Sequence, residues 1–175
     1  MKYTTESEIE ELVRTFEDAT VSRDDWKHAE HLIVALHYLS KHNIEMATEK
    51  MRSGIFKLLT EGFGVDLSKD MPYHETLTVF WMRTVADFNT SKNGDSLPDK
   101  ARELVERYDK DYPLRFYSRD FLFSDAARSA ISRERSGKLG AYLDSYLRCV
   151  AANRGVTDAV RTLGLHNSAT TPFPF

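Results

Sequence analysis

Apolar residues recur along this chain with helical spacing. In the first segment Ile9, Leu12, Val13 and Phe16 stand at i, i+3, i+4 and i+7, the stripe of an amphipathic helix. Thr5 and Glu8 ahead of them have capping-box spacing. The second segment opens on Ser22-Arg23-Asp24-Asp25, which predicts a cap at Ser22 with acids at the positive helix end. From Trp26 to Leu39 its apolar face is Ala29, Leu32, Ile33, Ala35, Leu36 and Leu39. At about 100° per residue, His28 falls inside the edge of that face and His31 on its border. The helix should stop near His42, with Asn43 capping a third segment over 44–61. Its stripe is Ile44, Ala47, Met51, Ile55, Leu58 and Leu59, and Gly62 and Gly64 supply a stop.

A fourth segment starts around Tyr73, because Pro72 suits a position whose N–H has no helical partner. His74, Leu77, Trp81, Val85 and Phe88 share one line of it, which puts His74 on the buried side at the first turn. Residues 89–95 read as a turn region. Ser96 and Pro98 open a fifth helix that uses Ala101, Leu104, Val105 and Tyr108. Residues 109–123 are aromatic-rich and irregular, with Phe116, Tyr117, Phe121 and Phe123 expected to pack the loop down. Beyond them come a short helix from Ser124 to about Arg133, a hinge at 136–138, and helices over 139–150 and about 156–163. No strand pattern, internal repeat or heptad run occurs. The expectation is an all-α, single-domain helical bundle of about six to seven helices over 1–164. Residues 165–175, with two prolines, read as an extended or mobile tail.

Composition adds little to this picture but excludes several classes. At 175 residues, 41% of them hydrophobic, the chain can bury a real core. Lys and Arg number 24 against 27 Asp and Glu, a net charge of −3, so neither nucleic acid nor an anionic membrane is an expected partner. One cysteine excludes an internal disulfide framework. Cys149, among Leu147, Val150 and Ala151, reads as a buried thiol. The opening Met1-Lys2-Tyr3-Thr4 lacks the basic and apolar regions of a signal peptide. The apolar run from Leu32 to Leu39 is far short of the roughly 20 residues of a spanning helix. The expected location is cytoplasmic.

The candidate chemistry is histidine chemistry. Asp25, His28 and His31 recur every third residue, and Cβ atoms three apart on a helix are about 5–6 Å from one another. Two imidazoles so placed can share a metal ion, with further ligands from another helix. His74 is the best second source, at a helix start that disfavours its charged form. His28, His31 and His74 are therefore the metal candidates, for a divalent transition metal such as Zn, Fe or Mn with an open position for substrate. His74 and Glu75 are the catalytic candidates. Adjacent helix positions diverge, so only one of them can point squarely at a common centre, and His74 is better placed. Arg52 would hold an anionic group such as a carboxylate or phosphate, although an exposed arginine explains it as well; Glu75 and Tyr73 would orient the histidines or the substrate, a small polar or anionic ligand, through hydrogen bonds. The plainer reading of each histidine is a packed side chain with one hydrogen bond. Neither H-E-x-x-H nor the paired E-x-x-H of di-iron bundles occurs. His37 and His42 read as surface residues.

Three segments taken together carry a resemblance: Trp26-x-His28-x-x-His31-Leu32, Met51-Arg52-x-Gly54-Ile55, and Tyr73-His74-Glu75-Thr76-Leu77-Thr78-x-Phe80-Trp81. With them, over roughly 22–128, the chain resembles a family of small all-helical bacterial proteins. No activity comes with that family, so no catalytic residue carries over. The resemblance groups His28, His31, Arg52, Tyr73, His74 and Glu75 in one frame.

Two functional readings follow. In the first, a His-lined pocket between the second and fourth segments binds a metal ion or small polar ligand, as a metal-dependent enzyme or a binding protein. In the second, the chain is a non-enzymatic interaction module working through an exposed face or its aromatic tail, Pro172-Phe173-Pro174-Phe175. Basic residues over 128–161 set against an acidic first thirty also suit a homo-oligomer interface, although a solvated surface explains them as well.

Overall fold

The computed structural model describes residues 2–70 and 72–124. The fold is all-α, a helical bundle without strands among the described residues. Its helices are α1 (Glu6–Glu17), α2 (His28–Lys41), α3 (Ile44–Lys57), α4 (Glu75–Ser91), α5 (Leu97–Arg107) and the short α6 (Arg119–Leu122). A π-helical turn, Leu58–Gly62, prolongs α3, and a tight helical turn, Tyr112–Arg115, precedes α6. The helices expected after residue 124, Cys149 and the aromatic tail lie outside the described residues. No helix among the described residues is long and apolar enough to cross a membrane.

The bundle is built around α2, which packs against α1, α3, α4 and α5. Seven successive residues, Leu32 to Tyr38, are buried. A helix with neighbours on every side has no face left for water. Each Leu, Ile or Val buried there contributes about 1.5–3 kcal/mol. A one-sided stripe leaves His37 at the surface, but neighbours on every side of α2 bury it. It is 7% exposed, and burial, followed by the nearby Lys41, pushes its pKa below the ordinary value.

Helix starts follow local side-chain chemistry. The Thr5 hydroxyl accepts from the Glu8 amide at 3.3 Å, and the Glu8 carboxylate accepts from the Thr5 amide at 3.0 Å. Asn43 caps α3 at 2.9 Å and Ser96 caps α5 at 3.3 Å, as their spacing predicts. Ser22 does not cap α2. Its carbonyl accepts from the amides of Asp25 and Trp26, and its hydroxyl donates to Asp25 at 2.7 Å, so it closes a turn instead. The helix begins at His28, and Trp26 stands just outside it. Likewise α4 begins at Glu75, capped by the His74 ring, whose Nδ1 accepts from the Leu77 amide at 3.3 Å.

Two glycines bring α1 against the end of α3. A Cβ at Gly54 would stand 2.3 Å from Phe16 Cε1, and one at Gly62 would stand 2.6 Å from the Ala19 carbonyl oxygen. The fully buried Phe16 ring then stacks on Trp26, with centroids 4.7 Å apart and planes 12° from parallel. Phe80 on α4 gathers Tyr112, Phe116 and Tyr117 around it and fixes the 112–117 segment. The next two rings escape that packing: Phe121 is 38% and Phe123 46% exposed.

Candidate functional site

A cleft of about 420 Å³ opens between α2, α3 and α4. From α2 come His28, His31 and Ala35, and from α3 Met51 and Ile55. Tyr73 and His74, with Leu77, Thr78 and Trp81 of α4, complete the opposite side. The three imidazoles grouped from the sequence thus line one cavity, because the centre of the bundle packs α2 against α4.

Each imidazole is held by a backbone carbonyl. His28 Nε2 lies 3.0 Å from the Tyr108 oxygen, and His31 Nδ1 lies 2.8 Å from the Lys27 oxygen. A carbonyl only accepts, so those nitrogens carry hydrogen. In the neutral rings the lone pairs fall on His28 Nδ1 and His31 Nε2. Neither atom makes a hydrogen bond among the described residues. Each ring also leans on a tryptophan: Trp26 is 4.2 Å from His31 and Trp81 is 4.8 Å from His28, centroid to centroid. Burial lowers the pKa of His31, and the neighbouring His28 pushes the same way.

His74 is engaged on both sides. Nδ1 caps α4, and Nε2 donates to the Leu122 carbonyl at 2.6 Å, which ties α6 to the start of α4. As a metal ligand it would have to give up one of these bonds. Among the described residues no group of three or more His, Cys, Asp and Glu is arranged to hold a metal ion. Asp25 does not line the cleft; it is exposed and bonded to Lys2 and Ser22.

Glu75, Arg52 and Tyr73 do come together, but behind the cleft. The Glu75 carboxylate is 3% exposed. Its Oε2 accepts from Arg52 Nε at 3.2 Å and from the Tyr73 hydroxyl, and its Oε1 accepts from a second Arg52 nitrogen. The remaining arm of Arg52 donates to Glu49 at 2.5 Å. The anion that Arg52 holds is therefore the protein's own carboxylate. Glu75, foremost, raises the Arg52 pKa further above its already high value. Burial, followed by the hydrogen bond to Glu75, raises that of Tyr73. Tyr73 turns its hydroxyl to Glu75 while its ring lines the cleft against Phe56, at 4.6 Å.

Several cleft residues carried no assignment in the sequence. Trp26 and Trp81 stand within the segments that prompted the resemblance, but their role as walls appears only once the bundle closes. Lys27 and Lys110 also line the cavity. The carbonyls of Tyr108 and Leu122, which fix two of the rings, leave no trace in residue type.

No family model, curated protein or solved structure matches the chain, so its function is read from these side chains.

Proposed function

We propose that the chain binds a small polar molecule in the α2–α3–α4 cleft, with His28 and His31 as its polar contacts. One observation carries this reading: a largely apolar cavity of about 420 Å³ contains two imidazole acceptors with no partner among the described residues. That volume lies within the roughly 300–1,000 Å³ of ligand pockets, which combine apolar walls with a few placed polar groups. A ligand O–H or N–H would satisfy His28 Nδ1 or His31 Nε2. An acid–base step on such a ligand falls to these two rings, because the polar atoms of His74 and Glu75 are already bonded.

A second reading, a divalent metal held by the same pair, is favoured by the same two nitrogens and by their i, i+3 spacing. It needs its remaining ligands from the bound molecule or water.

A thermal-shift screen of small fragments tests the first reading. The expected result is a set of stabilising fragments that lose their effect in Leu77→Phe, which narrows the cleft and leaves all three histidines in the sequence. Fragments that stabilise this variant as well as the wild type would overturn the assignment of the site.

A further inference from the structure

The cleft walls carry a charge pattern that the −3 chain as a whole does not predict. No Asp or Glu lines the cavity, and its two formally charged residues are Lys27 and Lys110. The acids nearest in sequence to the histidines are turned elsewhere. Glu30 accepts from the Tyr3 hydroxyl at 2.8 Å and from the Lys27 amide at 3.1 Å, and Glu75 is held by Arg52 and Tyr73. Lys27 donates its ammonium to the Arg23 carbonyl at 3.3 Å and has a loose partner in Asp24, at 4.0 Å. Lys110 makes no ion pair among the described residues, although Asp109 and Asp111 flank it in the chain. The Asp109 carboxylate accepts from the Asp111 amide at 2.9 Å and faces Arg115 at 4.0 Å.

The apolar walls are flat and fixed in place. Trp26 is pinned between Phe16 and His31, and Trp81 packs against His28 and Phe80. Both indoles remain half-buried, so each has surface left for a ligand to cover. Met51 and Met82, unbranched and adaptable, supply the floor.

Building on the proposed small-molecule site, we infer that the ligand class is an aromatic or apolar anion. Its flat body lies against Trp26 and Trp81, and its anionic group is met by Lys110, with Lys27 beside it. Aromatic faces contribute beyond area burial in such contacts. A cation entering the same cavity finds two lysines and no Asp or Glu among its lining residues.

Three probes with one body separate the charge claim from the site claim: phenylbutanoate, phenylbutanol and phenylbutylamine, titrated calorimetrically into the full chain. Phenylbutanoate should bind about tenfold more tightly than phenylbutylamine at low salt, with the gap closing as salt is added. Lys110→Gln should erase most of that preference and leave phenylbutanol unchanged, since Lys110 is exposed and its side chain makes no bond among the described residues. Equal binding of all three would overturn the charge assignment while leaving the cleft as a ligand site, and tightest binding of the amine would do the same. Failure of all three to bind would overturn both. Anion preference that survives Lys110→Gln and Lys27→Gln together would place the anion elsewhere.

Discussion

The rings of His28 on α2 and Trp81 on α4 meet across the helix–helix interface, 4.8 Å apart, while the far nitrogen of the imidazole reaches the Tyr108 carbonyl. One side chain therefore joins α2, α4 and the end of α5. His28→Phe keeps a ring against Trp81 but leaves that carbonyl without its donor. The expected loss is about 1–2 kcal/mol of stability, read from urea denaturation, the cost of one orphaned backbone group. Unchanged stability would mean that water replaces the donor freely.

Arg52 and Glu75 form a pair that is costly to break from one side. Arg52→Met leaves a carboxylate that is 3% exposed with the Tyr73 hydroxyl as its one side-chain partner among the described residues. It should destabilise the protein by about 3 kcal/mol. Arg52→Met combined with Glu75→Leu should recover most of that loss, because an apolar pair needs no partner. Additive losses in the double variant, measured by the same denaturation, would show that the pair itself is worth more than its removal costs.

Gly54 sets how closely α3 approaches Phe16. Gly54→Ala should cost about 1–3 kcal/mol through overpacking. It should also move the emission of Trp26, which stacks on Phe16 at 4.7 Å. Normal stability with unshifted emission would mean that the α1–α3 contact opens without resistance.

Acid should weaken the fold before its carboxylates titrate. His31 and His37 both have pKa values lowered by burial, from an ordinary 6.5. The unfolded chain therefore takes up protons at these sites first as pH falls. Stability should be level above about pH 6.5 and decline as pH drops through the folded values. His37→Gln should flatten that slope between about pH 6.5 and 5, above the carboxylate range. A slope identical to wild type would mean that His37 takes up its proton equally in the folded and unfolded chain.

Much of the fold was legible in the sequence because caps and apolar stripes are local. The Thr5–Glu8 box, Asn43, Ser96, and the stripes Ile9–Phe16 and Ala101–Leu104 all appear as read. Two kinds of feature were not legible. The first is burial on every side, which depends on how many neighbours surround a helix. It made α2 the centre of the bundle and turned His37 inward. The second is competition between local hydrogen bonds: Ser22 found Asp25 and closed a turn, so α2 begins six residues later. The site divides in the same way. Residue types and spacing grouped His28, His31 and His74, which do line one cavity. The resemblance added Arg52 and Glu75 to that group, and these two meet each other. Spacing can say which side chains share a region, but hydrogen-bond partners decide which remain available.

The proposed ligand site is the cleft between α2, α3 and α4. The chain contains two tryptophans and both line that cleft, so both indole N–H resonances come from its walls. The most direct measurement follows both resonances by NMR during titration with the most stabilising fragment from the screen. Both signals should move together and saturate, and Leu77→Phe should abolish the movement. A fragment that binds saturably while both indole signals stay fixed would contradict this placement of the site.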